Sequence, residues 1–111
     1  MIQRAVFAHQ RARGATGLFA FHVPNGGYRR LTEAAILKGL GVVAGVPDIV
    51  AVHKGRVYAL ELKAEGGRPT EIQLATIAAM EAAGAYTAIA EGLAGAAACL
   101  EAWGLLRGCA S

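Results

Sequence analysis

Stretches rich in apolar and β-favouring residues predict four strands. The turn chemistry of HKG (53–55) lies between two of them, so these two are expected to form a hairpin. Pro47 falls at the start of the second strand, where a missing N–H is tolerated. The predicted strands are LFAFHV (18–23), GVPDIVAV (45–52), RVYALELKA (56–64) and AYTAIA (85–90).

Helical periodicity and helix-boundary residues predict four helices around these strands. Thr32 and Thr70 are suitable N-caps, and Gln73 follows Thr70 at the spacing of a capping box. The predicted helices cover residues 2–12, 32–38, 70–83 and 92–106. The order α-β-α-β-β-α-β-α, without repeats or linkers, predicts one α/β domain over residues 1–111, with a small mixed sheet flanked by helices.

Composition agrees with a folded domain and adds an uneven charge. The chain has 111 residues, 55% hydrophobic and 17% charged, so it can bury a core. The net charge is +3, and residues 1–32 contain five arginines and no acid. A basic N-terminal third favours a polyanionic partner such as nucleic acid, although it is also compatible with a merely soluble basic surface.

Other features favour a soluble protein of the cytoplasm. Cys99 and Cys109 have no metal-binding spacing and are expected to be free thiols in a reducing compartment. No N-terminal stretch combines a basic start, an apolar run and a small-residue cleavage site, so a signal peptide is not expected. Residues 82–100 are apolar, but Glu91 at their centre argues against a membrane span.

Three charged residues occupy strand positions where charge is costly: Asp48, Glu61 and Lys63. Residues at i and i+2 share a face of a strand, so Glu61 and Lys63 lie together. The hairpin should bring Asp48 beside Glu61, although an edge strand with solvated charges is the alternative. Pro47 before Asp48, and Gln73 on the first turn of the next helix, argue against that alternative.

This set of groups suits metal-assisted phosphoryl chemistry. Two carboxylates can bind a hard cation such as Mg²⁺ through oxygen. Such an ion polarises a phosphoryl oxygen and activates water, and a neighbouring lysine can stabilise charge or orient the water.

The same residues resemble a nuclease superfamily. GVPDIV followed by LELKAE gives PD-(x)12-E-x-K, with Asp48, Glu61 and Lys63 at the matching positions. This resembles the PD-(D/E)xK superfamily, which has a restriction-endonuclease-like core. VPNGGYRR, AAILKGLGVVAGVPDIV and LELKAEGGRPTEIQ are similar to the VRR-NUC domain, the virus-type replication-repair nuclease module, over about residues 18–84.

The resemblance implies an endonuclease that hydrolyses branched or junction DNA, with Mg²⁺ or Mn²⁺ and no organic cofactor. It implies Asp48, Glu61 and the Leu62 carbonyl as metal ligands and Lys63 as the catalytic lysine. Gln73 matches a family glutamine beside the site, with helix capping as its alternative role. Similar stand-alone domains are homodimeric, intracellular and encoded by bacteria or phages.

Further residues are candidate DNA contacts. Asn25, Gly26 and Gly27 form either a simple turn or a set of backbone N–H groups that approach a phosphate closely. The candidate phosphate-binding side chains are Arg29, Arg30 and Arg68. His22 and His53 have no partner in the sequence and are interpreted as a strand and a turn residue.

One departure from the family pattern keeps a second function open. Family members often carry an acidic metal ligand in the first helix, but here Gln3, His9 and Gln10 are the nearest polar residues. The chain could therefore be a nuclease-fold module that binds nucleic acid without turnover. A small α/β protein with no nucleic-acid role is the third possibility.

The closing segment, residues 92–106, suggests a two-fold interface. Its apolar side chains exceed what one face of a surface helix needs; the alternative is that they pack on the protein's own sheet. They are Leu93, Leu100, Trp103, Leu105 and Leu106.

Overall fold

The computed structural model describes residues 2–24 and 38–107, which form four strands and three helices. The order agrees with the sequence prediction, but the predicted helix 32–38 lies outside these residues apart from its last position. The elements are α1 (Ile2–Arg13), β1 (Phe19–His22), β2 (Ile49–His53), β3 (Arg56–Lys63), α2 (Glu71–Ala82), β4 (Tyr86–Glu91) and α3 (Gly92–Ala102).

The strands form one mixed sheet in the order β1-β2-β3-β4. The pairs β1–β2 and β2–β3 are antiparallel, and β3–β4 is parallel with α2 as the crossover. Lys54 and Gly55 join β2 to β3 with φ values of 50° and 77°. Two positive φ values in a two-residue loop match the right-handed twist of a hairpin, which confirms the predicted turn, although His53 belongs to β2 and not to the turn.

The main core lies on one face of the sheet, under α1 and α3. Alternate residues of the central strands point to this face, so β2 and β3 bury every second side chain against the helices. The buried side chains come from both layers: Val6, Ile49, Ala51, Tyr58, Leu60, Leu62, Ala90, Ala96 and Leu100.

Helix α2 covers part of the other face of the sheet. Thr70 caps it: the Thr70 hydroxyl accepts from the Gln73 N–H and the Gln73 side chain accepts from the Thr70 N–H, the predicted capping box. The Gln73 side chain also reaches Lys63, which shares its face of β3 with Glu61. The first turn of α2 is therefore fixed beside the charged residues.

Two predicted boundaries are wrong. The second strand begins at Ile49, not at residue 45, so Pro47 and Asp48 precede it rather than lie within it. Pro47 cannot donate a ladder hydrogen bond, so regular pairing begins only after it.

The last helix ends at Ala102 rather than at 106, because Trp103 is its C-cap and Gly104 turns the chain with φ 77°. Leu105 then contacts the segment that follows α1: its carbonyl accepts from the Ala15 N–H at 2.9 Å.

The apolar segment 82–100 is divided between a turn, β4 and α3. Within residues 2–24 and 38–107, no helix is both long and apolar enough to cross a membrane.

Candidate active site

Asp48, Glu61 and Lys63 converge where β2 begins and β3 ends. The Asp48 N–H donates to Glu61 Oε1 at 3.2 Å, and Lys63 Nζ lies 3.2 Å from Glu61 Oε2. Asp48 Oδ2 accepts from the Leu62 N–H at 2.9 Å. The cluster is therefore a connected network, as the spacing in the sequence predicted, and not a set of separately solvated charges.

Pro47 interrupts the ladder of backbone hydrogen bonds opposite Leu62. Ile49 pairs with Leu60 in an antiparallel register, and continuing that register places Pro47 opposite Leu62. Pro47 has no N–H, so it cannot donate to the Leu62 carbonyl, while the Leu62 N–H donates to the Asp48 carboxylate. The N–H and C=O of a strand residue point to the same side, so the Leu62 carbonyl faces the Asp48 side of β3.

Lys63 is held from two sides. It contacts Glu61, and Nζ donates to Gln73 Oε1 at 2.8 Å. Gln73 Oε1 also accepts from the Thr70 N–H at 2.9 Å, so one amide oxygen joins the helix cap to the lysine. Gln73 therefore caps the helix and at the same time contacts the charged cluster. The Lys63 side chain is 17% exposed, so it is only partly buried.

Glu61 is the buried member of the cluster, with 1% of its surface exposed. Burial raises the pKa of its carboxyl above the ordinary value of 4.5. The neighbouring Asp48 carboxyl raises this pKa further, and Lys63 lowers it without cancelling the effect of burial. Such a carboxylate is unfavourable without an additional positive charge.

The raised pKa of Glu61 predicts how stability of the metal-free protein depends on pH. The folded state holds this proton more tightly than the unfolded state, so the free energy of unfolding falls as pH rises from about 4.5 through the folded pKa. Glu61→Gln should remove this part of the fall, because the amide cannot ionise.

Denaturant melts of both proteins in a chelator, from mild acid to neutral pH, measure the difference. Glu65→Gln, which removes an exposed carboxylate of the adjoining loop, is the control and should keep the wild-type profile. Parallel stability profiles for Glu61→Gln and wild type would contradict the burial argument.

The donor set of the cluster fits a hard divalent cation. Asp48 and Glu61 supply carboxylate oxygens, and Leu62 can supply a backbone carbonyl. Among residues 2–24 and 38–107, there is no group of three or more His, Cys, Asp or Glu side chains that could hold a metal. Mg²⁺ needs only one or two carboxylates because it retains water.

The other predicted site residues lie away from the charged cluster or outside the described residues. Arg68 is exposed on the loop between β3 and α2, whereas Asn25, Gly26, Gly27, Arg29 and Arg30 lie outside the described residues. Of the polar residues considered for the missing acid, His9 and Gln10 are part-buried on α1. Within residues 2–24 and 38–107, neither is hydrogen-bonded to Asp48 or Glu61.

His22 and His53 have partners that the sequence did not reveal. His53 is buried at the end of β2, with Nε2 3.1 Å from the Thr16 carbonyl. His22 is exposed at the end of β1, with Nδ1 3.1 Å from the Asp48 carbonyl. These contacts join residues 37 and 26 positions apart, so only the register of the strands could have identified them.

The closing segment packs mainly on the protein's own core. Leu105 is 0% exposed, and Leu100 and Leu106 are also buried. Trp103 is part-buried with its ring 5.2 Å from that of Tyr58. The alternative considered for this segment is therefore the correct one: its apolar side chains are used within the chain, so they offer little surface to a second copy.

Comparison with solved structures identifies the same fold. A structure described as a "VRR_NUC domain protein" superposes with a TM-score of 0.75 at 22% identity, over 92% of this chain and 84% of that one. Another, described as "VRR_NUC domain", gives a TM-score of 0.60 at 17% identity, over 90% of each chain. No family model matches the sequence, and neither does any curated protein. The resemblance inferred from the motifs is thus confirmed for the fold: the chain has the nuclease-type fold of VRR_NUC domains.

Proposed function

We propose that this protein is a divalent-metal-dependent endonuclease that hydrolyses phosphodiester bonds in branched DNA. The observation that carries the proposal is the buried Glu61 carboxylate, joined by a hydrogen bond to Asp48 and by an ion pair to Lys63. The fold shared with VRR_NUC domains supports the same conclusion.

Each residue of the cluster has a distinct part in this proposal. Asp48, Glu61 and the Leu62 carbonyl hold Mg²⁺ or Mn²⁺, and no organic cofactor is needed. The bound ion supplies charge stabilisation at a phosphoryl oxygen and a more acidic water. Lys63 orients the attacking water and donates to the developing phosphorane charge, while Gln73 keeps Nζ in place through its 2.8 Å hydrogen bond.

The second candidate is a nuclease-fold module that binds nucleic acid without turnover, and the acid-free first helix favours it. The energetic cost of the cluster argues for turnover. A binding surface for phosphate does not need a buried carboxylate, because negative charge repels the ligand and desolvation is costly. Burial of Glu61 makes sense where a cation completes the site.

The phosphate backbone of the DNA is proposed to contact Arg29 and Arg30, which follow Asn25, Gly26 and Gly27 in the sequence, and Arg68. DNA affinity should therefore fall steeply with salt. Replacing Arg29 and Arg30 together by Ala should lower the log–log salt slope by about 1.8, since each phosphate contact contributes about 0.9.

Fluorescence anisotropy in Ca²⁺ at several salt concentrations measures this slope. The control is the pair Lys54→Ala and Arg56→Ala at the tip of the β2–β3 hairpin, about 23 Å along β3 from Lys63. An equal loss of slope in the control pair, or no loss in the Arg29 and Arg30 variant, would show that the DNA does not bind at Arg29 and Arg30.

The active form is proposed to be a homodimer. The described chain contains one charged cluster of this kind, and a duplex has two strands to cut, which a two-fold pair of sites would match. Light scattering on a sizing column should give twice the chain mass of 11.4 kDa. A monomer that cuts both strands of a junction in concert would contradict this part of the proposal.

A substrate panel tests the proposed function. Linear duplex, flap, fork and four-way junction of matched sequence, each labelled on one strand, are incubated with the protein with and without Mn²⁺. We expect cleavage that requires the metal and favours the branched molecules. Specific binding of the same DNA without cleavage in either metal would instead support the second candidate.

A further inference from the structure

His22 lies at the point where β1 meets the start of β2. It is the last residue of β1 and pairs with Ile49, the residue immediately after Asp48. Its Nδ1 is 3.1 Å from the Asp48 carbonyl oxygen, and that oxygen also accepts from the Val23 N–H at 2.7 Å. Two donors from the end of β1 therefore fix the Asp48 peptide group.

These contacts complete the restraint of Asp48. Its N–H donates to Glu61 and its Oδ2 accepts from the Leu62 N–H, both on the β3 side. His22 and Val23 hold its carbonyl from the β1 side. The backbone is thus fixed from both neighbouring strands, and the direction of the Asp48 carboxylate follows from that. His22 is the only side chain that holds the carbonyl within residues 2–24 and 38–107.

The chemistry of the contact assigns a direction to the hydrogen bond. A backbone carbonyl can only accept, so Nδ1 carries the proton and donates it. His22 is exposed, and its contribution to the apolar core is small. The His22 side chain lies in solvent and bonds Asp48, the residue before β2. Its main structural effect is therefore on Asp48.

We propose that His22 is a positioning residue for the candidate metal site, acting through the Asp48 carbonyl. The inference rests on the proposed function, because it assumes that Asp48 binds a divalent cation. Partners that orient metal ligands commonly change metal affinity or activity by about 10–100-fold when they are removed. We expect an effect of that size here.

Two amide substitutions separate the Nδ1 contact from the rest of the ring. The side-chain N–H of Asn can occupy the position of Nδ1, whereas that of Gln corresponds to Nε2. His22→Asn should keep wild-type behaviour within about threefold. His22→Gln and His22→Ala should weaken Mn²⁺ binding and slow junction cleavage by about 10–100-fold.

The experiment measures Mn²⁺ affinity by calorimetry without DNA, together with cleavage rate and the thermal unfolding of the metal-free proteins. Retained Mn²⁺ affinity in His22→Asn, with loss in His22→Gln and His22→Ala, supports the proposal. Because His22→Ala and His22→Gln both lack a donor at the position of Nδ1, the decision does not depend on one variant being stably folded.

Wild-type Mn²⁺ affinity in His22→Gln or His22→Ala would overturn the inference, as would an equal loss in His22→Asn. A wild-type protein that neither binds Mn²⁺ nor cuts any DNA would instead refute the proposed function, so the two failures are distinguishable.

Discussion

Asp48→Asn is expected to abolish DNA cleavage while leaving DNA binding intact or tighter. The amide can still accept from the Leu62 N–H, so the local fold is preserved, but the charged metal ligand is lost. A bound ion contributes several kcal/mol of transition-state stabilisation. With about 1.4 kcal/mol for each tenfold change, the rate should fall about 10³-fold or more.

Single-turnover cleavage of a labelled junction in Mg²⁺ measures this loss, and anisotropy in Ca²⁺ measures binding. Binding can tighten because a negative charge next to the phosphate is removed. Glu65→Gln is the matched control: it also removes one carboxylate close to Lys63 in the sequence, but one that is exposed and outside the cluster. Cleavage by Asp48→Asn at the rate of this control would show that Asp48 is not a ligand.

Lys63→Met is expected to lose turnover and keep metal binding. The substitution retains the aliphatic stem but removes the amine that lies between Glu61 and Gln73. An ammonium has no oxygen for a metal, so Mn²⁺ affinity should persist, while the loss of one electrostatic stabiliser should slow cleavage by about 10²–10³-fold.

Lys54→Met provides the control for Lys63→Met, since Lys54 is exposed in the hairpin turn at the opposite end of β3. Calorimetry with Mn²⁺ and single-turnover cleavage are measured on both variants. If Lys63→Met loses Mn²⁺ binding together with cleavage, its role is to support the metal site rather than to act on the phosphate.

The parts of the site that follow from local sequence could be predicted. Alternation along β3 placed Glu61 and Lys63 on one face, and the short turn at Lys54 and Gly55 fixed the hairpin that brings Asp48 to them. The capping-box spacing predicted the start of α2. These features depend on residues within one turn or one hairpin, where chain geometry leaves few alternatives.

The parts that depend on distant contacts could not be predicted. The second strand was predicted to begin at residue 45, before Asp48, because most residues there are apolar, whereas Pro47 leaves the ladder without a donor. The contact between His22 and Asp48 depends on the register of β1 against β2. The closing segment looked like an interface because composition does not tell whether an apolar side chain meets its own core or a partner.

Restoration of activity by metal tests the central claim most directly. The wild-type protein is treated with EDTA, and its cleavage of a labelled four-way junction is followed before and after excess Mg²⁺ or Mn²⁺ is returned, with Asp48→Asn in parallel. The account predicts no cleavage in EDTA, recovery with either ion, and no recovery in Asp48→Asn. Undiminished cleavage in EDTA, or equal recovery in Asp48→Asn, would contradict it.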